Sequence, residues 1–557
     1  VTTKVSSPGP TRGYRNPVLR GVHADPSIAR FGDDYVLVTS SMDLSPGLPV
    51  HRSRDLLHWE LVGHALGDPP GEPGPTRMIY APTVRTIGGR LYVVSTDVAG
   101  GGNFLVSADR PEGPWSDPTP IDPDVFDPSL TATASGTVYY TRRGPFDAKD
   151  IVQAEIDLAT GELNSPLRSI ASGFVSDDAE GPHLYEIDGL YYLLLAEGGS
   201  RALHMVTVGR SESPWGPFEP CPWNPILAQH HAWWHEILGA GHGDLLQAAD
   251  GSWWLVFLAT RHPAYDALSH IGRETFLAPV TWRDGWPVIE ANCARRLEVD
   301  APTLPVRPTS PPLARDDFDS PVLSGEWVSV TLPEAGRGGA GYPRGGWTLT
   351  ARPSFLRIFG RVRPAPPGSL PPGSSVGDAP LDATAEPSST MATFIGRRQA
   401  DLHCRFAARI DCDLAPGDEA GAGVFQTAAY RYEIVLSRAE PGSLIARLRR
   451  HVGDLHVDGP AVSLPTTAVV LQVSADPERY HFAVRPADGP PDGWRDLGSG
   501  LTRLISSEVA QAWSGALLGV FAARARPESP PVDVDWADYL GFDPPVVDLP
   551  GEPGSDG

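Results

Sequence analysis

Five short stretches decide the fold: Gly32-Asp33-Asp34-Tyr35-Val36-Leu37, Gly88-Gly89-Arg90-Leu91-Tyr92-Val93-Val94, Ser135-Gly136-Thr137-Val138-Tyr139-Tyr140, Asp188-Gly189-Leu190-Tyr191-Tyr192-Leu193 and Asp250-Gly251-Ser252-Trp253-Trp254-Leu255. Each is a turn carrying Gly or Asp, then an aromatic, then β-branched residues or leucine. Gly and Asp supply the turn conformations that hairpins require, and the residues behind them are strand formers. Aligned on the aromatics at 35, 92, 139, 191 and 253, the stretches recur at gaps of 57, 47, 52 and 62 residues. A second echo follows three of them: Ser53-Arg54-Asp55 leads to Trp59, Ser107-Ala108-Asp109 to Trp115, and Ser211-Glu212-Ser213 to Trp215. A strand-rich unit repeated in order at this period is the pattern of a propeller blade. The competing reading is a sandwich of unrelated hairpins. Five ordered units within residues 1–300 favour a five-bladed β-propeller there.

Beyond residue 300 the pattern stops. Residues 301–315, from Ala301-Pro302-Thr303-Leu304-Pro305 through Pro311-Pro312, are Pro-rich and read as a linker. Asp316-Asp317-Phe318-Asp319 opens a second region, 316–545, with strands such as Gly423-Val424-Phe425-Gln426 and Tyr430-Arg431-Tyr432-Glu433-Ile434-Val435-Leu436. Helical periodicity is scarce, so a β-sandwich is expected and the chain as a whole is all-β. Residues 363–390 are dominated by Pro, Gly, Ser and Ala and read as a long mobile loop. Residues 546–557 read as a flexible tail.

The 557 residues carry 68 acidic and 45 Lys or Arg side chains, a net charge of −23, so a phosphate backbone is repelled and nucleic acid is a poor partner. The charge suits a neutral ligand such as a sugar, and it also suits plain solubility. With no run of 18 or more apolar residues, no membrane span is expected. Val1-Thr2-Thr3-Lys4 has no apolar signal core, which points to the cytoplasm, or to secretion with the signal already removed. Cys221, Cys293, Cys404 and Cys412 are spaced too irregularly for a zinc site and read as structural thiols, with a single bridge as the alternative.

Three acids stand in unusual settings. Asp25 lies in His23-Ala24-Asp25-Pro26-Ser27, Asp127 in Phe126-Asp127-Pro128-Ser129, and Glu180 in Glu180-Gly181-Pro182-His183-Leu184-Tyr185. Each precedes the aromatic strand of its unit. Equivalent points on different blades gather around a propeller axis, so the three carboxylates are expected at one mouth of the channel. Crowded carboxylates raise one pKa, which keeps a general acid protonated near neutrality. Taken singly, Asp-Pro-Ser and Gly-Pro are ordinary turn openers. Their shared phase with the repeat is what singles them out.

The chain here resembles glycoside hydrolase family 43, in particular its two-domain β-xylosidases and α-L-arabinofuranosidases. The resemblance runs from Asn16-Pro17-Val18-Leu19 through Asp25-Pro26-Ser27, Ser53-Arg54-Asp55-Leu56 and Trp59 to Tyr80-Ala81-Pro82-Thr83, Phe126-Asp127-Pro128-Ser129-Leu130, Glu180-Gly181-Pro182-His183 and Gly272-Arg273-Glu274-Thr275. It continues through Asp316-Asp317-Phe318-Asp319, Phe394-Ile395-Gly396-Arg397-Arg398-Gln399 and Gly423-Val424-Phe425-Gln426. It implies an inverting hydrolase in which Asp25 is the general base, Glu180 the general acid, and Asp127 tunes and positions Glu180. Inversion by single displacement needs base and acid roughly 6.5–9.5 Å apart, to admit a water. The resemblance also implies that Arg273 bonds sugar hydroxyls, that Tyr80 and Phe126 wall the sugar ring, and that Ser200 touches substrate. It places His242, in Gly241-His242-Gly243-Asp244-Leu245, on the axis near Asp25. Some relatives hold calcium or another ion there, and the alternative is a structural histidine. No cofactor is otherwise implied.

Two positions depart from the family pattern. Met42, in Ser40-Ser41-Met42-Asp43, stands where a phenylalanine wall is expected; a softer, roomier wall there is expected either to shift the preference from xylose toward arabinose or to widen the pocket. Trp513, in Trp513-Ser514-Gly515-Ala516, stands where the sandwich of β-xylosidases contributes a phenylalanine that closes the pocket; core packing is the alternative. Gln229-His230-His231-Ala232-Trp233-Trp234-His235 is also unlike the usual relatives, and reads as an aromatic rim loop rather than a metal site. The expected activity is exo-hydrolysis of β-1,4-xylo-oligosaccharides, with α-L-arabinofuranosidase action as side or main activity. Without a lid the same propeller would be endo-acting on arabinan. A sugar-binding propeller without catalysis would lack one of the acids, and an adhesion propeller leaves their phasing unexplained. A homo-oligomer is compatible with all of this.

Overall fold

The structure, a computed structural model, describes residues 13–544 except 68–76, 146, 230–234, 263–267, 291–292, 294–295, 301–303, 305–306, 308–313, 331–345, 363–391 and 439–442. The expected loop at 363–390, the tail from 546 and most of the 229–235 cluster therefore lie outside the described residues.

Five antiparallel sheets, each with four strands in sequence order and the fourth with Leu227–Ala228 added beside its third strand, make up the blades of the first half. They are Ser27–Phe31, Asp34–Val38, Gly47–Ser53 and Glu60–Leu66; Thr83–Ile87, Arg90–Asp97, Gly102–Ala108 and Thr119–Asp122; Ser129–Ala132, Val138–Arg143, Ile151–Glu155 and Arg168–Ala171; Ala179–Ile187, Leu190–Glu197, Met205–Ser211 and Glu219–Pro220; and Ile237–Gln247, Trp253–Arg261, Arg273–Arg283 and Trp286–Ile289. The quoted turns join the first and second strands of the blades. The first strand of each blade packs against the first strand of the next, and the fifth against the first, which closes the ring around an axis. The five-bladed propeller expected from the repeat is thus present. The N-terminal segment closes it. Gly13–Arg15 pairs with Glu298–Asp300, and Asn16 exchanges side-chain hydrogen bonds with the Leu277 backbone in blade five at 2.9 and 3.0 Å.

The Ser-Arg-Asp echo is turn chemistry. Ser53 Oγ accepts from the Leu56 amide, Asp55 accepts from the Leu57 and His58 amides, and Trp59 Nε1 returns a bond to the Leu56 carbonyl. Short polar side chains that capture amides in this way set tight turns. The Pro-rich stretch is anchored to the propeller: Leu304 is buried in the core of blades one, four and five, and the Arg307 amide donates to Asp55 at 2.6 Å.

The second half is a sandwich of two mainly antiparallel sheets. One is centred on Cys404–Asp411, Ala468–Ala475 and Val532–Gly541, the other on Glu419–Thr427, Leu517–Arg524 and Thr393–Arg398. Alternate residues face inward, among them Phe406, Ala408 and Ile410 against Leu518, Val520 and Ala522, as a half-buried sheet requires. The four cysteines are free and buried. The halves are stitched together. Leu44–Ser45 of the propeller pairs with Trp327–Val330 as the outermost strand of a sandwich sheet. Buried Arg261 in blade five donates to Glu274, to Asp543 and to the Ala400 carbonyl, and Arg20 pairs with Asp401.

Candidate active site

One backbone device recurs in or just before four of the inner strands. Asp25, Asp127, Gly181 and His242 have φ of 52, 59, 54 and 47°. Side chains other than glycine seldom adopt this region, aspartate and histidine more readily than most. Such kinks gather at functional sites. Asp25 and Asp127 stand two residues before their inner strands, and Gly181 and His242 lie within theirs. At 181 only glycine is accommodated, because a Cβ there would lie 2.9 Å from His242 Nε2.

Asp25 is buried and fully engaged. Its Oδ2 accepts from Ser40 Oγ at 2.6 Å, its Oδ1 from Arg273 Nη1 at 3.1 Å, and His242 Nδ1 lies 3.5 Å away. Burial works to raise its pKa, but Arg273, His242 and Ser40 together outweigh burial and hold it below the ordinary value. Asp25 is thus ionised across the neutral range.

Glu180 is held oppositely. Burial raises its pKa to about 7; Arg143 opposes the rise, and Asp178 and Asp25 add to it. Its Oε2 lies 3.3 Å from Arg143 Nη1, which Asp178 shares at 3.1 Å, and its Oε1 accepts from Ser200 Oγ at 3.3 Å. Asp127 accepts from the Gly181 amide at 3.0 Å, so it fixes the backbone beside Glu180. Its own carboxyl is pushed well above the usual range by burial and by the Glu180 and Asp25 charges. The site therefore sets one ionised carboxylate against carboxyls that keep a proton near neutrality, the division of labour acid–base chemistry needs.

The other expected residues surround these. Tyr80 and Phe126 meet edge to face with ring centroids 5.8 Å apart, and Arg143 lies over Phe126. Met42 is buried and exchanges backbone hydrogen bonds with Ile79, next to Tyr80. Ser200 is half-buried and its hydroxyl points to Glu180. Trp513 is not packed in the sandwich core: it is 38 % exposed, with the guanidinium of Arg273 5.4 Å and that of Arg201 5.2 Å from its ring centre. Its carbonyl accepts from Arg273 Nη2 at 3.1 Å. One arginine thus ties the Asp25 carboxylate to a tryptophan supplied by the other half of the chain.

Below the site, Asp127, Gly181, His183 and His242 line a fissure too narrow for a water molecule. Deeper still, Asp244 accepts from Ser27, the Ile28 amide, Tyr185 and both terminal nitrogens of Arg85. Arg85 and His183, then these hydrogen bonds, overcome burial and hold Asp244 well below the carboxylate range. It bolts four blades together at the axis. A calcium ion wants six to eight oxygen ligands. The carboxylates nearest His242 are already engaged by arginines and hydroxyls. Among the described residues no group of three or more His, Cys, Asp or Glu side chains is placed to hold a metal. The donors as arranged do not form such a cage.

Sequence reasoning missed Arg143, Asp178, Ser40 and Arg201 as parts of the site, and Asp244 as the axial bolt. Ser40 and Asp244 lay inside quoted segments beside Met42 and His242. Arg143, Asp178 and Arg201 had no local signal.

Comparison with known proteins places this geometry. The profile of Glycosyl hydrolases family 43 matches residues 14–287, and that of the Beta xylosidase C-terminal Concanavalin A-like domain matches residues 315–540. The chain is 35 % identical over 542 residues to the Non-reducing end alpha-L-arabinofuranosidase BoGH43B of Bacteroides ovatus, covering 95 % of each chain. It is 38 % identical over 368 residues to a Xylosidase/arabinosidase of Butyrivibrio fibrisolvens, covering 63 % of this chain and 69 % of the relative. The crystal structure of a xylan beta-1,4-xylosidase from Bacillus halodurans superposes with a TM-score of 0.81 at 28 % identity, over 94 % of this chain and 99 % of that one.

Proposed function

Because the chain belongs to glycosyl hydrolases family 43 and is a glycosidase, we propose that it removes single pentosyl residues from non-reducing chain ends, with terminal α-L-arabinofuranosyl units preferred and β-xylosyl units second. The observation that carries the exo assignment is Trp513, which the sandwich holds over Arg273, the arginine that engages Asp25, as a roof on that side of the site. A roof supplied from outside the propeller leaves room for a terminal sugar and not for a continuous chain. The arabinofuranosyl preference is supported by Met42, in place of a rigid aromatic wall, and by the name of the Bacteroides ovatus relative that matches over both full lengths. The xylosyl alternative is supported by the names of the Butyrivibrio and Bacillus relatives.

In this reading Asp25 draws a proton from a water as the water attacks the anomeric carbon. Arg273 and Ser40 keep Asp25 ionised and aimed. Glu180 gives its proton to the departing oxygen, and bond breaking and making on opposite faces invert the anomer. Asp127, through the Gly181 amide, and Ser200 hold Glu180 toward the leaving group. Initial rates on p-nitrophenyl α-L-arabinofuranoside, p-nitrophenyl β-D-xylopyranoside and xylobiose test the substrate assignment. The arabinoside is expected to be turned over with the highest kcat/KM. A higher value on the xyloside and xylobiose would reverse the order, and cleavage of arabinan within the chain would overturn the exo assignment.

A further inference from the structure

The Phe394-Ile395-Gly396-Arg397-Arg398-Gln399 stretch supplies a cation that the reaction does not use. Arg398 ends the strand Thr393–Arg398 of the sandwich and reaches across to the propeller, where its Nε donates to the Val22 carbonyl at 3.1 Å. A Cβ on Gly21 would lie 3.2 Å from Arg398 Cβ, so the two halves meet closely here. Around the guanidinium lie three histidines of the propeller, His23, His51 and His64, all electrostatically coupled to it. His23 and His51 meet edge to face with ring centroids 4.9 Å apart, and His23 Nδ1 is 3.2 Å from Thr39 Oγ1. His64 pairs with Pro49, two residues before His51 on the neighbouring strand, which puts His51 and His64 on one face of blade one.

This seam is rich in unused polar atoms. Arg398 Nη2, His51 Nδ1, His64 Nε2 and the Ser41 hydroxyl are buried without a hydrogen-bond partner. Arg398 has no carboxylate within ion-pair distance among the described residues. The one acid that acts on it is Glu326. Burial pulls the pKa of Arg398 down to about 10, so it stays charged. Burial and then Arg398 hold His51 and His64 at about 3, so their rings stay neutral and each can present one N–H. A buried charge without a counter-charge is costly, and buried donors without acceptors add to the cost.

We propose that this seam between propeller and sandwich binds one small monovalent anion, of the halide class, on Arg398 Nη2 with His51, His64 and Ser41 as further donors. The local charge of a single guanidinium selects a monovalent ion, since a divalent oxyanion would leave a buried negative excess. Neutral imidazoles orient their N–H groups inward at no protonation cost. The anion would seat the sandwich on the propeller, beside the segment that carries Asp25.

The test is thermal unfolding of the full chain in sodium chloride at constant ionic strength made up with sodium gluconate, whose anion is too large for the seam, alongside a crystal grown in sodium bromide. The unfolding midpoint is expected to rise saturably with chloride, by roughly 2 °C for each decade of concentration above the binding constant. The crystal should give an anomalous bromide peak within hydrogen-bond distance of Arg398 Nη2 and at least one of the two imidazoles. Partly exposed His64→Leu should weaken the chloride response, and Arg398→Met should remove it. A midpoint independent of chloride in the native protein, or a seam without bromide, would overturn the proposal and leave water or Glu326 as the partner of Arg398. A bromide peak that forms only at molar salt, with no shift in midpoint, would overturn it as well.

Discussion

Gly272 and Gly515 touch backbone to backbone: a Cβ on Gly272 would lie 2.8 Å from the Gly515 Cα, and one on Gly515 would collide with the Ile271 carbonyl. This approach lets the Ala516 amide reach the His270 carbonyl at 3.0 Å and brings Trp513 down on Arg273. Gly515→Ala should push the 513–516 segment away from the pocket. The expected outcome is a loss in kcat/KM of at least about tenfold and a stability loss of about 1–3 kcal/mol. Steady-state kinetics and thermal unfolding check it. Unchanged kinetics would show that the Trp513 roof plays no part in turnover.

Glu180→Gln keeps the shape of the side chain and removes the transferable proton. Turnover of xylobiose or an arabino-oligosaccharide should fall by about 10²–10⁴-fold. Aryl glycosides with good leaving groups need less protonation and should lose far less. Parallel rates on the two substrate types decide this, and equal losses would argue against Glu180 as the acid.

The pH profile follows from the opposed environments of the two carboxyls. Asp25 must be ionised, and its pKa lies below the ordinary value, so the acid limb of kcat/KM should fall below the normal carboxylate range. Glu180 must be protonated, so activity should be lost as pH rises through about 7. Asp178→Asn removes a negative neighbour and ends the sharing of Arg143 Nη1 between two carboxylates. Both changes favour the ionised acid, so the alkaline limb should move to lower pH. A profile that stays in place or moves upward would contradict the assignment.

Arg85→Met removes the cation that holds Asp244 at the axis. Asp244 is fully buried, and its partners come from blades one, two and four. Breaking one side of a buried pair costs about 3–5 kcal/mol. The midpoint in denaturant should fall accordingly. The double variant Arg85→Met with Asp244→Asn should recover part of the loss, because the uncompensated charge is gone.

The propeller was readable because its turns and aromatics recur at one phase, and the three acids because they share that phase. Trp513 was readable only through a family position, since nothing in Trp-Ser-Gly-Ala itself says that the ring faces a distant arginine. Arg143 and Asp178 escaped for a physical reason. Arg143 ends an ordinary strand, Val138–Arg143, and Asp178 precedes another, Ala179–Ile187. Their value lies in meeting across a blade boundary, which no local pattern encodes. Asp244 escaped because its role depends on four partners scattered from residue 27 to residue 185.

The short strand Leu44–Ser45 belongs by sequence to the propeller and by pairing to the sandwich. A cut near residue 300 would therefore not release two finished parts. It would strip the edge from one sheet and leave a loose flap two residues from Met42, which pairs with Ile79 beside Tyr80. Exchange of sandwiches between related chains would carry the same penalty. Recombination that respects only the linear order of the halves would break the site from a distance, so a productive crossover must move Leu44–Ser45 and Trp327–Val330 as a matched pair.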